Sequence, residues 1–333
     1  MASAKSKKTY FLLLFLFSAA VLLVVPLVGT GSVDLSDITG ILNSSDKSAG
    51  QRIFWDVRLP RILIAFMAGS VLAVCGVSFQ AMFRNPLATP FTLGVSGGAA
   101  FGAVLAIRLG IVFSCFGISS THIFAFGGAM ASIFLVYGIA RAHRGFTVAT
   151  MLLTGVAVSF FFSALIMFIQ YIADFSHSFS MVRWMMGNLA VVGYKEVVEM
   201  AVLSTIGVSI IFFKRSEMNL LTTGDEIAAG RGVDVERVRK IIFFAVSISA
   251  GSVVAVCGPI GFVGLMIPHI MRLIFGADHF DLTPACLLGG GVFLVICDTF
   301  ARTIISPAEI PIGVITAMLG GPFFVWLLFR HPN

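Results

Sequence analysis

The sequence predicts an all-α protein threaded repeatedly through a membrane, and three observations carry that reading. First, 58% of the 333 residues are hydrophobic and only 11% are charged, against roughly 25% charged in soluble domains; mean hydropathy is +1.01. Second, about ten apolar stretches approach the roughly 20 residues that a membrane-crossing helix needs. They lie near 10–30, 60–82, 91–109, 121–140, 147–171, 191–213, 241–257, 260–276, 283–301 and 312–329. Third, 11 of the 38 charged residues fall within the 27 residues from Lys214 to Lys240, between two of those stretches. With so much of the chain in lipid, residues 1–333 read as a single integral-membrane domain.

The first stretch, Tyr10–Val28, follows Lys5, Lys7 and Lys8. It is longer than a signal-peptide core of roughly 7–15 residues, so it reads as a retained span. The third, eighth and tenth stretches are interrupted by Gly or Pro. Residues 31–55 form a long polar connection in which we expect a short surface helix around Leu35–Leu42. Basic residues sort by loop: with the N-terminus inside and ten spans, 14 Lys and Arg fall inside and 8 outside. The excess on the inner side follows the positive-inside rule and puts both termini in the cytoplasm. The net charge of +6 is thereby explained without nucleic acid, since no basic stripe forms. The five cysteines (Cys75, Cys115, Cys257, Cys286, Cys297) show no close pairing and read as small buried hydrophobes, with no disulfide framework and no metal site.

Gly94, Gly98 and Gly102 recur every four residues and so share one face of the third span. Small residues there let a neighbouring backbone approach closely, which serves ordinary bundle packing or a helix beside a pathway. Pro259, Gly261 and Gly264 belong to an irregular stretch, Gly258–Pro268, that could form a gate. Both it and the Pro-bracketed Asn85–Pro90 follow a Cys-Gly-containing helix (Cys75-Gly76, Cys257-Gly258). That repetition hints at an inverted repeat relating roughly 56–180 to 235–333, a common transporter design.

Enzyme signatures are scarce: there is no His-Glu-x-x-His and no P-loop. Ion-coupled carriers need buried Asp, Glu or His. Asp298 is the plainest candidate, and it lies four residues before Arg302, where an intrahelical pair would neutralise it. An ion-coupled secondary transporter therefore stands as the alternative to a carrier powered from outside the chain.

The 214–240 segment is the sizeable polar surface such a power source could grip. Asp225 and Glu226 follow Gly224 and suit the positive N-terminal end of a short helix. Gly230 and Gly232 suit its end, and Asp234 suits the N-cap of the next span. Leu220, Leu221, Ile227, Ala228, Ala229 and Val233 suggest an apolar contact face rather than a merely solvated loop. On the other side, Arg58-Leu59-Pro60-Arg61 opens the second span. Two exposed guanidinium groups three apart, with Arg302, could clamp carboxylates bidentately or snorkel to lipid headgroups.

Taken in order, these pieces resemble the FecCD-type permease family. The matching stretches are Val57–Arg61, Gly76–Gly97, Leu153–Val156, Arg183–Gly187, Leu220–Glu226 with Gly230–Val233, Gly258–Arg272, Ala277–His279, Asp298–Arg302, Pro307–Gly313 and Leu319–Phe323. They cover nearly everything after residue 55. Thr89 stands where the family often has Asp or Glu, and Gly321 where Ala is common.

The resemblance implies a type II ABC importer permease fold with ten helices, in the bacterial cytoplasmic (inner) membrane. It implies a homodimer whose two-fold axis carries the path for an iron–siderophore complex, haem or vitamin B12. Two cytoplasmic ATPase subunits would hold ATP and Mg, this chain binding no cofactor and doing no catalysis, and an extracytoplasmic substrate-binding protein would complete the complex. Carried over residue by residue, the coupling helices fall at about 219–233, on Leu220, Leu221, Gly224, Asp225, Glu226, Ala228, Gly230, Gly232 and Val233. Arg58, Arg61 and Arg302 fall where the family docks its binding protein.

Overall fold

The computed structural model describes residues 4–29, 48–115, 117–142 and 147–330. The helix expected around Leu35–Leu42 lies outside them. Among the described residues the chain forms thirteen helices and one short hairpin, Ser114–Cys115 paired with Ile118–Ser119. The helices are α1 (Ala4–Val24), α2 (Ala49–Phe83), α3 (Val95–Arg108), α4 (Ser120–Ala142), α5 (Val148–Tyr171), α6 (Phe175–Met185) and α7 (Lys195–Phe213). They continue as α8 (Arg215–Thr223), α9 (Asp225–Gly230), α10 (Val235–Cys257), α11 (Val263–Phe275), α12 (His279–Thr303) and α13 (Ile312–Arg330).

Seven of these, α1, α2, α4, α5, α7, α10 and α12, are long and apolar enough to cross a bilayer unaided. Three shorter apolar helices, α3, α11 and α13, complete the expected ten. They are the third, eighth and tenth stretches, and each is short for a local reason. A 3-10 turn at Pro90–Leu93 and a left-handed Gly94 (φ 81°) precede α3. Left-handed Gly258 (φ 71°) and Phe262 (φ 67°) precede α11. Pro307 and Pro311 precede α13. The sequence of a long helix, a break and a short helix thus occurs three times, at α2–α3, α10–α11 and α12–α13.

Burial separates a centre from a perimeter. The span windows of α2, α10 and α12 are 83, 72 and 61% buried, those of α1, α4, α5 and α7 only 11–33%. Lipid supplies no hydrophobic drive between helices, so close backbone approach at small residues has to hold the centre together. A Cβ at Gly76 of α2 would overlap the carbonyl of Gly264 in α11, and one at Gly69 would overlap that of Gly290 in α12. The three expected glycines form a second such seam, α3 on α4, stepping four residues at a time on both helices. Gly94 lies against Ser132, Gly98 against Gly128 and Gly102 against Phe124, and Ser132 Oγ donates to the Gly94 carbonyl at 2.8 Å. Gly94, Gly98, Gly102 and Gly264 are therefore packing residues. Cys75, Cys257, Cys286 and Cys297 are buried and free, and Cys115 sits exposed on the hairpin.

Candidate coupling and docking surfaces

At the charged end of the molecule the 214–240 segment folds as two helices where the sequence suggested one. In α8, Met218 and Leu221 are buried. Asn219 fastens α8 to the start of α12: its Nδ2 donates to Asp278 Oδ1 at 2.8 Å, and its Oδ1 accepts from the His279 backbone N–H at 2.8 Å. Asp278 also accepts from the Phe280 N–H as the N-cap of α12. That backbone hydrogen bond, with help from Asn219, holds the Asp278 carboxyl below the usual Asp range. Gly224 (φ 122°) breaks the chain between α8 and α9, a conformation that L side chains rarely adopt.

α9 starts with Asp225 and Glu226 in its first turn and ends at Gly230, with Gly232 left-handed just beyond. Asp234 caps α10, accepting from the Arg237 N–H at 3.0 Å. The position of α9 is fixed by Asp225, whose oxygens accept from Arg239 Nη2 of α10 at 2.7 and 2.9 Å and lie 3.5 Å from Arg84 Nη2 at the end of α2. Leu221 and Ala228 are buried within the chain, so they anchor the unit rather than offer the apolar contact face expected of them. What protrudes is Glu226, Ile227, Ala229, Gly230, Arg231 and Gly232, with Ile227 52% exposed.

At the opposite end the three arginines meet as expected, but they are buried (4–9% exposed), which corrects the reading of free guanidinium groups. A buried charge needs partners, and each arginine has them. Arg61 grips Asp298 through Nε and Nη2 at 2.9–3.1 Å and Glu309 through Nη1 at 2.9 Å. Arg58 Nη1 donates to the Pro26 carbonyl at 3.0 Å, and Arg302 Nη2 to that of Val25 at 3.4 Å, so both pin the end of α1. Arg302 is the weaker partner of Asp298, at 3.8 Å; the intrahelical pair foreseen from the four-residue spacing is secondary to Arg61. Glu309 is the open member, its side chain 47% exposed where that of Asp298 is 2%. Arg61, Asp298 and Glu309 share a small cleft with Arg183 of α6, an exposed cation.

Between the two ends, Pro259 and Gly261 line an open apolar groove with Met185, Met186, Phe262 and Met318. Its backbone is stitched across elements: the Asn188 N–H donates to the Cys257 carbonyl at 2.7 Å and the Gly313 N–H to that of Met186 at 3.1 Å.

The sequence profile of the FecCD transport family matches residues 12–330. The chain belongs to that family. It is 36% identical over 319 residues to the hemin transport system permease HmuU of Yersinia pestis, covering 95% of each chain. It is 40% identical over 278 residues to the cobalamin import system permease BtuC of Halobacterium salinarum, covering 84% of this chain and 73% of that one. A solved structure described as an inward-facing metal-chelate type ABC transporter superposes with a TM-score of 0.83 at 33% identity, over 96% of this chain and 99% of that one. This member of the family is thus a multi-pass permease component of an ABC importer, a transport subunit rather than an ion-coupled carrier.

Sequence reasoning missed the partners of these residues: Arg84 and Arg239 for Asp225, Glu309 for Arg61, and Arg183 beside them. Glu309 lay within a quoted motif, but nothing in the local pattern linked it to an arginine 248 positions earlier.

Proposed function

We propose that two copies of this chain enclose a path for an iron–siderophore complex or a related metal chelate such as haem or cobalamin. Separate ATPase subunits, binding ATP and Mg, drive it from the cytoplasmic side, and an extracytoplasmic binding protein delivers the cargo. The match along nearly the whole chain to permeases named for hemin and cobalamin carries this reading. Coupling is assigned to α8 and α9. Ile227, Ala229 and Gly230 present a small protruding surface, while Asp225 ties α9 to both α2 and α10 through Arg84 and Arg239. A push on α9 therefore reaches two central helices.

Docking is assigned to Arg61, with Arg58 and Arg302 as its supports. A carboxylate of the binding protein takes the place of the half-exposed Glu309, while buried Asp298 keeps the guanidinium fork aimed outward. The apolar groove at Pro259 and Gly261 is assigned to the wall of that path.

The decisive experiment reconstitutes the permease in proteoliposomes with and without its ATPase subunits. Uptake should require the ATPase and external binding protein and should survive an uncoupler. Uptake by the permease alone, abolished by the uncoupler, would return the chain to the ion-coupled class.

A further inference from the structure

Away from both surfaces, an apolar trough of about 750 Å³ runs between α4, α7 and α10 at the end where α7 begins. Three helices each give it one face. On α7, Lys195, Val198, Glu199 and Val202 recur at three- and four-residue steps, placing them on one side of the helix. On α4 the wall is His122, Ile123 and Phe126, and on α10 the floor is the small Ser252 and Ala255 with Val256. From Lys195 to Val202 the trough follows α7 for about 10 Å, at about 1.5 Å per residue.

The polar groups gather at one end. His122 Nδ1 lies 3.1 Å from both oxygens of Glu199, closing that pair on itself. Lys195, at the first turn of α7, has no ion-pair partner among the described residues. Val198 and Val202, which line the trough, are themselves more than half exposed, and farther along the same two helices Phe134, Leu135 and Ile206 are apolar and exposed. In a membrane such faces meet acyl chains.

We propose that this trough is a binding site for one phospholipid, with an acyl chain along Val198 and Val202 and the headgroup phosphate on Lys195. Charge complementarity and position select this occupant: one unpaired cation stands at the headgroup end of an apolar groove that opens sideways between two perimeter spans. The lipid fills the seam between α7 and α4 and ties the perimeter to the central helix α10.

The test uses the full-length permease in bilayer nanodiscs containing a phosphatidylglycerol with a photoreactive diazirine on one acyl chain. Illumination should label the α7 segment containing Val198 and Val202. Lys195→Ala and Val202→Trp should each lower labelling at least fivefold, and Lys195→Arg should restore it. Native mass spectrometry in detergent should show one phosphatidylglycerol retained per copy, with less retained by Lys195→Ala. Because Val202→Trp could fail to fold, Val198→Phe is the second groove-filling variant. Unchanged labelling in the folded variants would overturn the site. So would protection by inorganic phosphate alone, which indicates a free-anion site, or a Val202→Cys crosslink between two copies, which indicates a dimer face.

Discussion

Arg61 carries two carboxylates at once, and their unequal burial separates structure from recognition. Asp298 is sealed in, and its removal leaves Arg61 and Arg302 short of a buried counter-charge. Breaking one side of a buried pair costs about 3–5 kcal/mol, so Asp298→Ala should unfold at markedly lower denaturant in detergent. A loss under about 1 kcal/mol would mean that Glu309 alone satisfies Arg61. Glu309 stands in solvent, and the docking proposal gives it the opposite role. Glu309→Gln should leave stability near wild type and tighten binding-protein affinity several-fold, while Arg61→Glu should weaken it at least tenfold, most strongly at low salt where steering is least screened. If neither variant moves the affinity, the arginines serve only to hold α1 and α12 together. The sequence placed Arg58, Arg61 and Arg302 together on one end but described them as exposed. A run of Arg-x-x-Arg records helix spacing and says nothing of carboxylates 237 and 248 positions away.

Among the elements, the glycine seams make a sharp contrast within one composition. Gly76→Ala and Gly102→Ala place a methyl group against a backbone carbonyl that cannot yield without separating two helices. Overpacking of this kind costs about 1–3 kcal/mol. Gly138 of α4 has open space where its Cβ would stand, and Gly138→Ala should instead gain about 0.5–1 kcal/mol from helix propensity. Parallel thermal melts of the three variants read the difference directly, and equal shifts would refute the seam. This part was legible beforehand for α3, because four-residue spacing is visible in one helix. The α2 seams were not, since their partners lie on α11 and α12. Gly224 was legible as a break, but α8, the separate helix that precedes it, was not.

The α8–α12 junction adds a pH dependence at the same scale. Hydrogen bonds from the Phe280 N–H and Asn219 hold the Asp278 carboxyl below its ordinary value of about 3.9. A depressed carboxyl contributes stability fully above that ordinary value and loses it as pH falls through the folded one. Asp278→Asn should therefore flatten the acid limb of a stability–pH curve below about pH 4. An unchanged acid limb would show that the junction titrates through other groups.

For the whole molecule, the central prediction concerns transmission. Asp225 links the protruding α9 to α2 and α10, the helices that touch most of the rest of the bundle. Asp225→Ala in the assembled importer should keep binding-protein docking and ATPase assembly while substrate-stimulated uptake falls at least tenfold. A reciprocal Asp225→Arg, Arg239→Asp pair should restore part of it. Normal uptake in Asp225→Ala would place coupling elsewhere. Ten spans, their order and the three interrupted ones were readable from hydropathy, because lipid enforces length and composition. Which spans are central was not, because lipid and protein interior demand the same apolar residues.

The three shortened helices set a last consequence. α11 has 13 residues, about 20 Å at about 1.5 Å per residue, well short of the roughly 30 Å hydrocarbon slab. The missing height is made of irregular backbone whose groups find partners inside the protein, such as Cys257 with Asn188 and Ile310 with Ala301. Acyl chains of different length will tilt or crowd the full-length spans, yet they have no lever on the interrupted ones. The misfit collects where peptide is irregular, so reagent access to cysteines introduced at 259–261 and 305–309 should track tail length while sites in mid-helix stay silent.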